Sequence, residues 1–190
     1  MLLLQIQIFH LLSLGGEIMR IQLDVKGLSQ YDHSIKANYH PSACGPVTTF
    51  TILRYLMPNN CAYDTNQLYK LLGSTRIGLF TWLFKRNLRK VLGPTWEVNT
   101  CSIDEAKSEL LEGRPVACKF DRYFTFRWFG TYEFAYHWVP LIGFEENKNG
   151  LTLILHDNGG RNRDSRIRNV SYEKNEDILT FVKIVPHSNI

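Results

Sequence analysis

Apolar positions recur at helical spacing in several stretches of the chain, and residues typical of helix ends flank each stretch. From Cys44 onward they follow a period of about 3.6 residues, and Pro58 with Asn59 ends the run. Pro46 suits the first turn of this helix, where an absent N–H loses no partner. Ser102 and Glu105 have the spacing of a capping box at the start of another helix. The pattern predicts three further helices, over residues 64–73, 78–93 and 102–113.

Strand patterns appear at the N-terminal side of these helices and dominate the C-terminal half. The turn at residues 147–150, Asn-Lys-Asn-Gly, joins two apolar runs and is a strong hairpin signal. Strands are predicted over residues 21–27, 95–100, 114–121, 137–146, 151–158 and 182–186. Helices followed by a mostly antiparallel sheet indicate an α+β fold, with one domain over residues 19–190.

The remaining segments are polar or aromatic. Residues 28–43 and 159–169 are predicted loops, and residues 171–181 are predicted as a short helix. Residues 122–136 are rich in aromatic side chains and predict either a long hairpin or a loop beside a cleft.

The first eighteen residues fit neither a secretory signal nor a membrane span, because no basic residue precedes the apolar run and glutamines interrupt it. The codons of Leu14, Gly15 and Gly16 can spell a bacterial ribosome-binding sequence just before Met19. We therefore expect residues 1–18 to be upstream sequence and the protein to be cytoplasmic. The alternative is a weak export signal or anchoring segment.

Composition is that of a soluble globular protein, with 44% apolar and 21% charged residues. The net charge of +4 permits an acidic partner without requiring one. The cysteines show no C-x-x-C spacing and a domain of this size needs no disulfide framework, so neither a structural metal site nor cross-links are expected. They are Cys44, Cys61, Cys101 and Cys118.

Cys44 stands at the predicted start of a helix, where partial positive charge and free N–H groups lower the pKa of a thiol. A buried core thiol could occupy the same position. A nucleophilic cysteine needs a base, and His137 begins an apolar strand of the predicted hairpin. That hairpin brings Asp157 or Asn158 beside His137, where either could orient the imidazole, and directs His156 to the opposite face.

Gln30 lies in the loop that leads to Cys44, and its amide could join the Cys44 backbone N–H in stabilising an oxyanion. The ordered set of Gln30, Cys44, His137 and Asp157 resembles papain-like cysteine peptidases. The local sequence is most similar to the bacteriocin-processing (double-glycine) peptidases and their stand-alone relatives. The stretches that carry the resemblance are SQYD (29–32), ACGPVTTF (43–50), EGRPVACKF (112–120), HWVPLIGFEE (137–146) and LILHDN (153–158).

The resemblance implies a papain-like fold and a thiol hydrolase without a cofactor. Cys44 would attack a carbonyl carbon, His137 would move the proton, Asp157 would orient His137, and Gln30 would hold the oxyanion. Residues expected to contact the peptide, amide or acyl substrate are Gly45, Tyr136, Trp138 and Asn158. Cleavage after Gly-Gly is not carried over, because the chain has no G-x-x-x-x-G-K-[ST] motif and no membrane domain.

Two other functions remain open at this point. An acyltransferase of the same fold would pass the acyl group to an amine, and the arginines of residues 161–168 could then hold an anionic acyl donor. A non-catalytic binding protein is the second alternative. Nucleic acid is not expected as a partner, because the charge is modest and no recognition motif is present, and no membrane partner is expected either.

Overall fold

The computed structural model describes residues 6–13 and 16–187, with side chains from residue 18 onward. The predicted extension over residues 1–18 lies partly outside these residues, and its boundary stays a prediction. The strands are β1 (Ile6–Ser13), β2 (Gly16–Leu23), β3 (Trp96–Cys101), β4 (Val116–Asp121), β5 (Tyr136–Asn147), β6 (Gly150–Asp157), β7 (Arg166–Ser171) and β8 (Leu179–Pro186). The helices are α1 (Cys44–Leu56), α2 (Thr65–Leu71), α3 (Thr81–Leu92) and α4 (Ile103–Leu111).

These strands form one antiparallel sheet around the long strand β5. The main order is β1-β2-β5-β4-β8-β3, and β6 pairs with β5 and carries β7. Along one edge of β5, β4 pairs with residues 136–141 and β2 with residues 143–146. The other edge pairs with β6, with a bulge between Leu141 and Gly143. The start of β5 and the end of β6 therefore lie side by side.

Helices cover both faces of this sheet. α1, α2 and α3 enclose one apolar core, which Ala117 of β4 and Trp138 of β5 join from the sheet. α4 covers the other face, where Leu110 packs in a core that includes Phe120. Every residue of β4 is buried because its two faces meet these two cores. No helix in the described part of the chain is long and apolar enough to cross a bilayer.

The predicted α+β fold with a mostly antiparallel sheet is confirmed. The four predicted helices correspond to α1 through α4, and the predicted capping box of α4 is formed, as is one at α2. Asp64 and Ser102 each accept a backbone N–H at the start of α2 and α4, and Gln67 and Glu105 complete two capping boxes. The segment of residues 122–135 is a loop, not a hairpin.

Three local predictions were wrong. Strand β2 ends at Leu23 instead of continuing to residue 27. Residues 166–169, predicted as loop, begin β7 because they pair with β6. Residues 171–181 hold only a short 3-10 helix, Glu176–Ile178, before β8 pairs with β4. In each case strand pairing decided the structure of a segment whose own pattern was ambiguous.

Candidate active site

Cys44 is the first residue of α1, where helix N–H groups have no partner within the helix. Ala43 before it supplies no side-chain cap. The residue is 5% exposed and lines a pocket of about 300 Å³. Burial raises the pKa of Cys44, but a hydrogen bond from His137, its charge, and the backbone N–H groups of Trp138 and Gly45 outweigh burial and lower it. The site therefore favours the thiolate.

His137 lies near the start of β5, buried between Cys44 and Asp157. Its Nε2 is 3.1 Å from Asp157 Oδ1, and its ring lies 4.9 Å from the Phe134 ring. Burial lowers the pKa of His137, yet hydrogen bonds to Asp157 and Cys44 and the negative charges of both raise it to about 9. The lowered pKa of the thiol and the raised pKa of the imidazole both favour the pair as thiolate and imidazolium.

Asp157 ends β6 and is 1% exposed. Besides His137, its Oδ1 accepts the Gly159 N–H at 2.9 Å. Its Oδ2 accepts from the guanidinium of Arg163 and, at 3.4 Å, from that of Arg168. Burial raises the pKa of Asp157, but the hydrogen bonds from His137 and Gly159 and the nearby positive charges lower it overall. The carboxylate is thus shared between the imidazole and two arginines.

Gln30 reaches the same pocket from the loop before α1. Its backbone N–H donates to the Asn158 carbonyl at 2.8 Å, and its side-chain Nε2 donates to the His40 carbonyl at 2.8 Å. Because the His40 carbonyl can only accept a hydrogen bond, the atom of the Gln30 amide that faces it is the nitrogen. A primary amide has two N–H hydrogens, so the bond to His40 uses only one of them, and Gln30 lines the same pocket as Cys44.

The pocket brings together five of the eight predicted site residues, namely Gln30, Cys44, Tyr136, His137 and Asp157. The Tyr136 hydroxyl accepts the Leu79 N–H at 3.0 Å and donates to the Leu79 carbonyl at 2.9 Å.

The other three predicted residues, Gly45, Trp138 and Asn158, are buried outside the pocket lining. Gly45 lies against Leu79, so close that a Cβ would come within 2.8 Å of its side chain. Trp138 stacks on Phe84 and donates to the Leu79 carbonyl. These contacts place Gly45 and Trp138 behind the lining of the pocket, and their contact with a substrate stays a prediction.

The Asn158 side chain ties the start of α1 to β5 instead of contacting His137. Its Nδ2 lies 3.3 Å from the Cys44 carbonyl, 3.1 Å from the Thr48 hydroxyl and 3.2 Å from the Trp138 carbonyl. Of the two alternatives that the hairpin left open, the structure therefore brings Asp157 to the imidazole. His156 faces away, with its Nε2 accepting the Gly27 N–H at 3.1 Å.

Sequence reasoning missed the segment of residues 75–79, which forms one wall of the pocket. Thr75 and Gly78 close a tight turn through two backbone hydrogen bonds of 3.0 Å. Arg76 and Ile77 at its tip line the pocket and are exposed. A short turn between two helices has no hydrophobic periodicity, so Gly78 was its only signal in the sequence. The grouping of Arg163 and Arg168 on Asp157 was also missed, although their segment was noted as rich in arginine.

The other cysteines differ from Cys44 in their surroundings. All four thiols are free. Burial raises the pKa of Cys101 to about 12, and burial also raises that of Cys118. Within the residues that the structure describes, no three His, Cys, Asp or Glu side chains are grouped so as to hold a metal ion.

A comparison with protein-family models matches residues 22–184 to the Peptidase_C39 like family. The match spans the loop with Gln30, the helix that begins at Cys44 and the hairpin with His137 and Asp157. A search of curated proteins finds no match to the chain.

Proposed function

Because the chain belongs to the Peptidase_C39 like family, a group of papain-like cysteine peptidase domains, we propose that it hydrolyses a peptide or amide bond through a thioester acyl-enzyme. The observation that carries the proposal is that Cys44, at the start of α1, shares one pocket with the hydrogen-bonded pair of His137 and Asp157. The lowered pKa of Cys44 supplies a nucleophile near neutral pH, and the raised pKa of His137 supplies an acid.

In the acylation step, the Cys44 thiolate attacks the carbonyl carbon of the scissile bond. A C–S bond forms, and the carbonyl oxygen takes the negative charge. The free N–H of the Gln30 amide and the backbone N–H of Cys44 stabilise this oxyanion. The C–N bond then breaks as the His137 imidazolium gives its proton to the departing amine, which leaves an acyl-enzyme and a neutral imidazole.

In the deacylation step, His137 takes a proton from water while the water oxygen attacks the thioester carbon. The C–S bond breaks and the carboxylic acid product leaves. Cys44 returns to the thiolate and His137 to the imidazolium. Asp157 keeps the imidazole oriented through both steps and offsets its charge whenever it is protonated.

The first experiment measures the rate of Cys44 alkylation by iodoacetamide against pH, for the wild type and for His137→Ala. We expect fast alkylation below the ordinary thiol pKa of about 8.5 in the wild type and its loss in the variant. A wild type that titrates like a free thiol would contradict the proposal, because no activated nucleophile would then exist.

The second experiment incubates the protein with peptides from a digested proteome and identifies new termini by mass spectrometry, with Cys44→Ala as the control. New termini that require Cys44, together with an acyl adduct on that residue, support the hydrolase. With an added amine, products that carry the acyl group on the amine would instead indicate acyl transfer. Absence of any Cys44-dependent product from a peptide mixture would overturn peptide hydrolysis.

A further inference from the structure

The pocket around Cys44 has an excess of positive charge among its lining side chains. Three arginines line it, Arg76, Arg163 and Arg168, against one carboxylate, that of Asp157. Asp157 is already bound by His137, by the Gly159 N–H and by two of the arginines. Because Cys44 and His137 are neutral as a pair, they do not offset the remaining charge.

Arg76 differs from the other two arginines in its contacts. Arg163 binds Asp157 and the Asp164 carbonyl, and Arg168 binds Asp157 and Glu133. For Arg76, no hydrogen-bond or ion-pair partner is found in the described part of the chain. An exposed guanidinium without an acidic neighbour keeps its full capacity to bind an anion.

The backbone beneath Arg76 is held in place. The turn of residues 75–78 is closed on itself, and the next residue, Leu79, is bound at both its N–H and its carbonyl by the Tyr136 hydroxyl. Gly78 has φ of +113°, and a Cβ there would lie 2.5 Å from the Tyr136 hydroxyl, so the turn packs directly on that ring. Arg76 is therefore presented to the pocket from a rigid support.

We infer that Arg76, together with Arg163 and Arg168 of the same pocket lining, forms a subsite for an anionic group of the substrate, a carboxylate or a phosphate. The inference rests on the proposed function, since it names the class of substrate that this same site accepts. A guanidinium offers a planar fork of N–H donors that matches either anion in a bidentate arrangement. The anion lies within a pocket of about 300 Å³, close to the bond that Cys44 attacks.

The test compares two alkylating agents that differ mainly in charge, iodoacetate and iodoacetamide. Both place a CH₂ group on the Cys44 sulfur with loss of iodide. For the wild type at low salt we expect a higher ratio of the iodoacetate rate to the iodoacetamide rate than for glutathione. We expect Arg76→Gln to lower this ratio about three- to fivefold, because the variant loses an exposed charge interaction with the anionic reagent. Added salt should lower the wild-type ratio toward that of the variant.

The matched control is Arg86→Gln, which removes the same charge from an exposed position on α3. An equal fall of the ratio in Arg86→Gln and Arg76→Gln would overturn the subsite, since net charge alone would then account for it. A fast iodoacetamide reaction that depends on His137, but with no change of ratio in Arg76→Gln, would refute the subsite and leave the proposed hydrolase intact. Slow reaction with both agents would refute the hydrolase itself.

A protection experiment distinguishes whether the subsite binds a phosphate or a carboxylate. Inorganic phosphate and succinate are each tested for slowing the reaction of Cys44 with iodoacetamide, in the wild type and in Arg76→Gln. Stronger protection by phosphate that weakens in the variant assigns the subsite to a phosphate-bearing substrate, and stronger protection by succinate assigns it to a carboxylate. Protection that is the same in both proteins would contradict a role for Arg76.

Discussion

Replacing Asp157 with asparagine tests whether the charge of this residue, beyond its hydrogen bond, sustains the thiolate–imidazolium pair. Asparagine keeps an oxygen that can accept from His137 Nε2, so the orientation of the ring can survive while the negative charge is lost. We expect Asp157→Asn to lower the pKa of His137 and to raise that of Cys44, because an imidazolium that is less stable stabilises the thiolate less.

The magnitude follows from the pKa of His137. Its rise from 6.5 to about 9 corresponds to about 3 kcal/mol in favour of the imidazolium, at 1.36 kcal/mol for each pKa unit. Against the opposing effect of burial, hydrogen bonds and charges of both Asp157 and Cys44 contribute to it, and we expect the loss of the Asp157 charge to lower the pKa by about one unit, roughly 1.4 kcal/mol or about tenfold in the protonation equilibrium. Asparagine would also leave Arg163 without the Asp157 carboxylate and Arg168 with that of Glu133 alone, and the added positive charge would increase the fall.

The assay is an NMR titration of the His137 ring together with the pH profile of Cys44 alkylation. In the wild type the imidazolium persists up to pH about 9 and the thiolate forms below the ordinary thiol pKa. In Asp157→Asn the imidazolium should deprotonate about one pH unit lower, and fast alkylation should begin at higher pH. Asp164→Asn, on the exposed part of the same loop, is the control. Titration curves that coincide in Asp157→Asn and the wild type would refute the reasoning.

Three substitutions test the supports of the site by urea denaturation. Gly78→Ala forces a Cβ onto the ring of Tyr136 at positive φ, and we expect a loss of about 2 kcal/mol and a disturbed pocket; unchanged stability would contradict this packing. Asn158→Ala removes an amide with three buried acceptors and should cost about 2 kcal/mol, whereas an exposed amide would cost almost nothing. Lys119→Met leaves the buried Asp121 carboxylate without the ammonium that lies 2.6 Å from it, and should cost at least about 3 kcal/mol; a loss below about 1 kcal/mol would argue against a charged pair at this position.

The parts of the site that follow from short-range signals were predictable from the sequence. The start of α1 at Cys44 depends on a helical period and a proline within a few residues, which are local. The approach of His137 to Asp157 depends on a hairpin whose turn is visible at residues 147–150. The prediction required only that the ends of the two strands be adjacent. The bulge within the hairpin therefore did not affect it.

The parts that depend on distant packing were not predictable. Arg76 reaches the pocket because Tyr136, sixty residues later in the sequence, binds the backbone next to it. Trp138 and Asn158 were expected at the substrate, but their polar groups bind backbone atoms within the fold. Strand β7 has a polar, arginine-rich sequence, so its pairing with β6 outweighs what its own pattern favours.

The three hydrogen bonds of the Asn158 side chain have a consequence for local unfolding. They join the first turn of α1, the start of β5 and the end of β6, the elements that carry Cys44, His137 and Asp157. Segments held by one buried amide open together, so their backbone amides should exchange with deuterium in a single cooperative event. The nucleophile and its base then belong to one unit of unfolding, and the protein loses both, or neither, in any partial opening of this region.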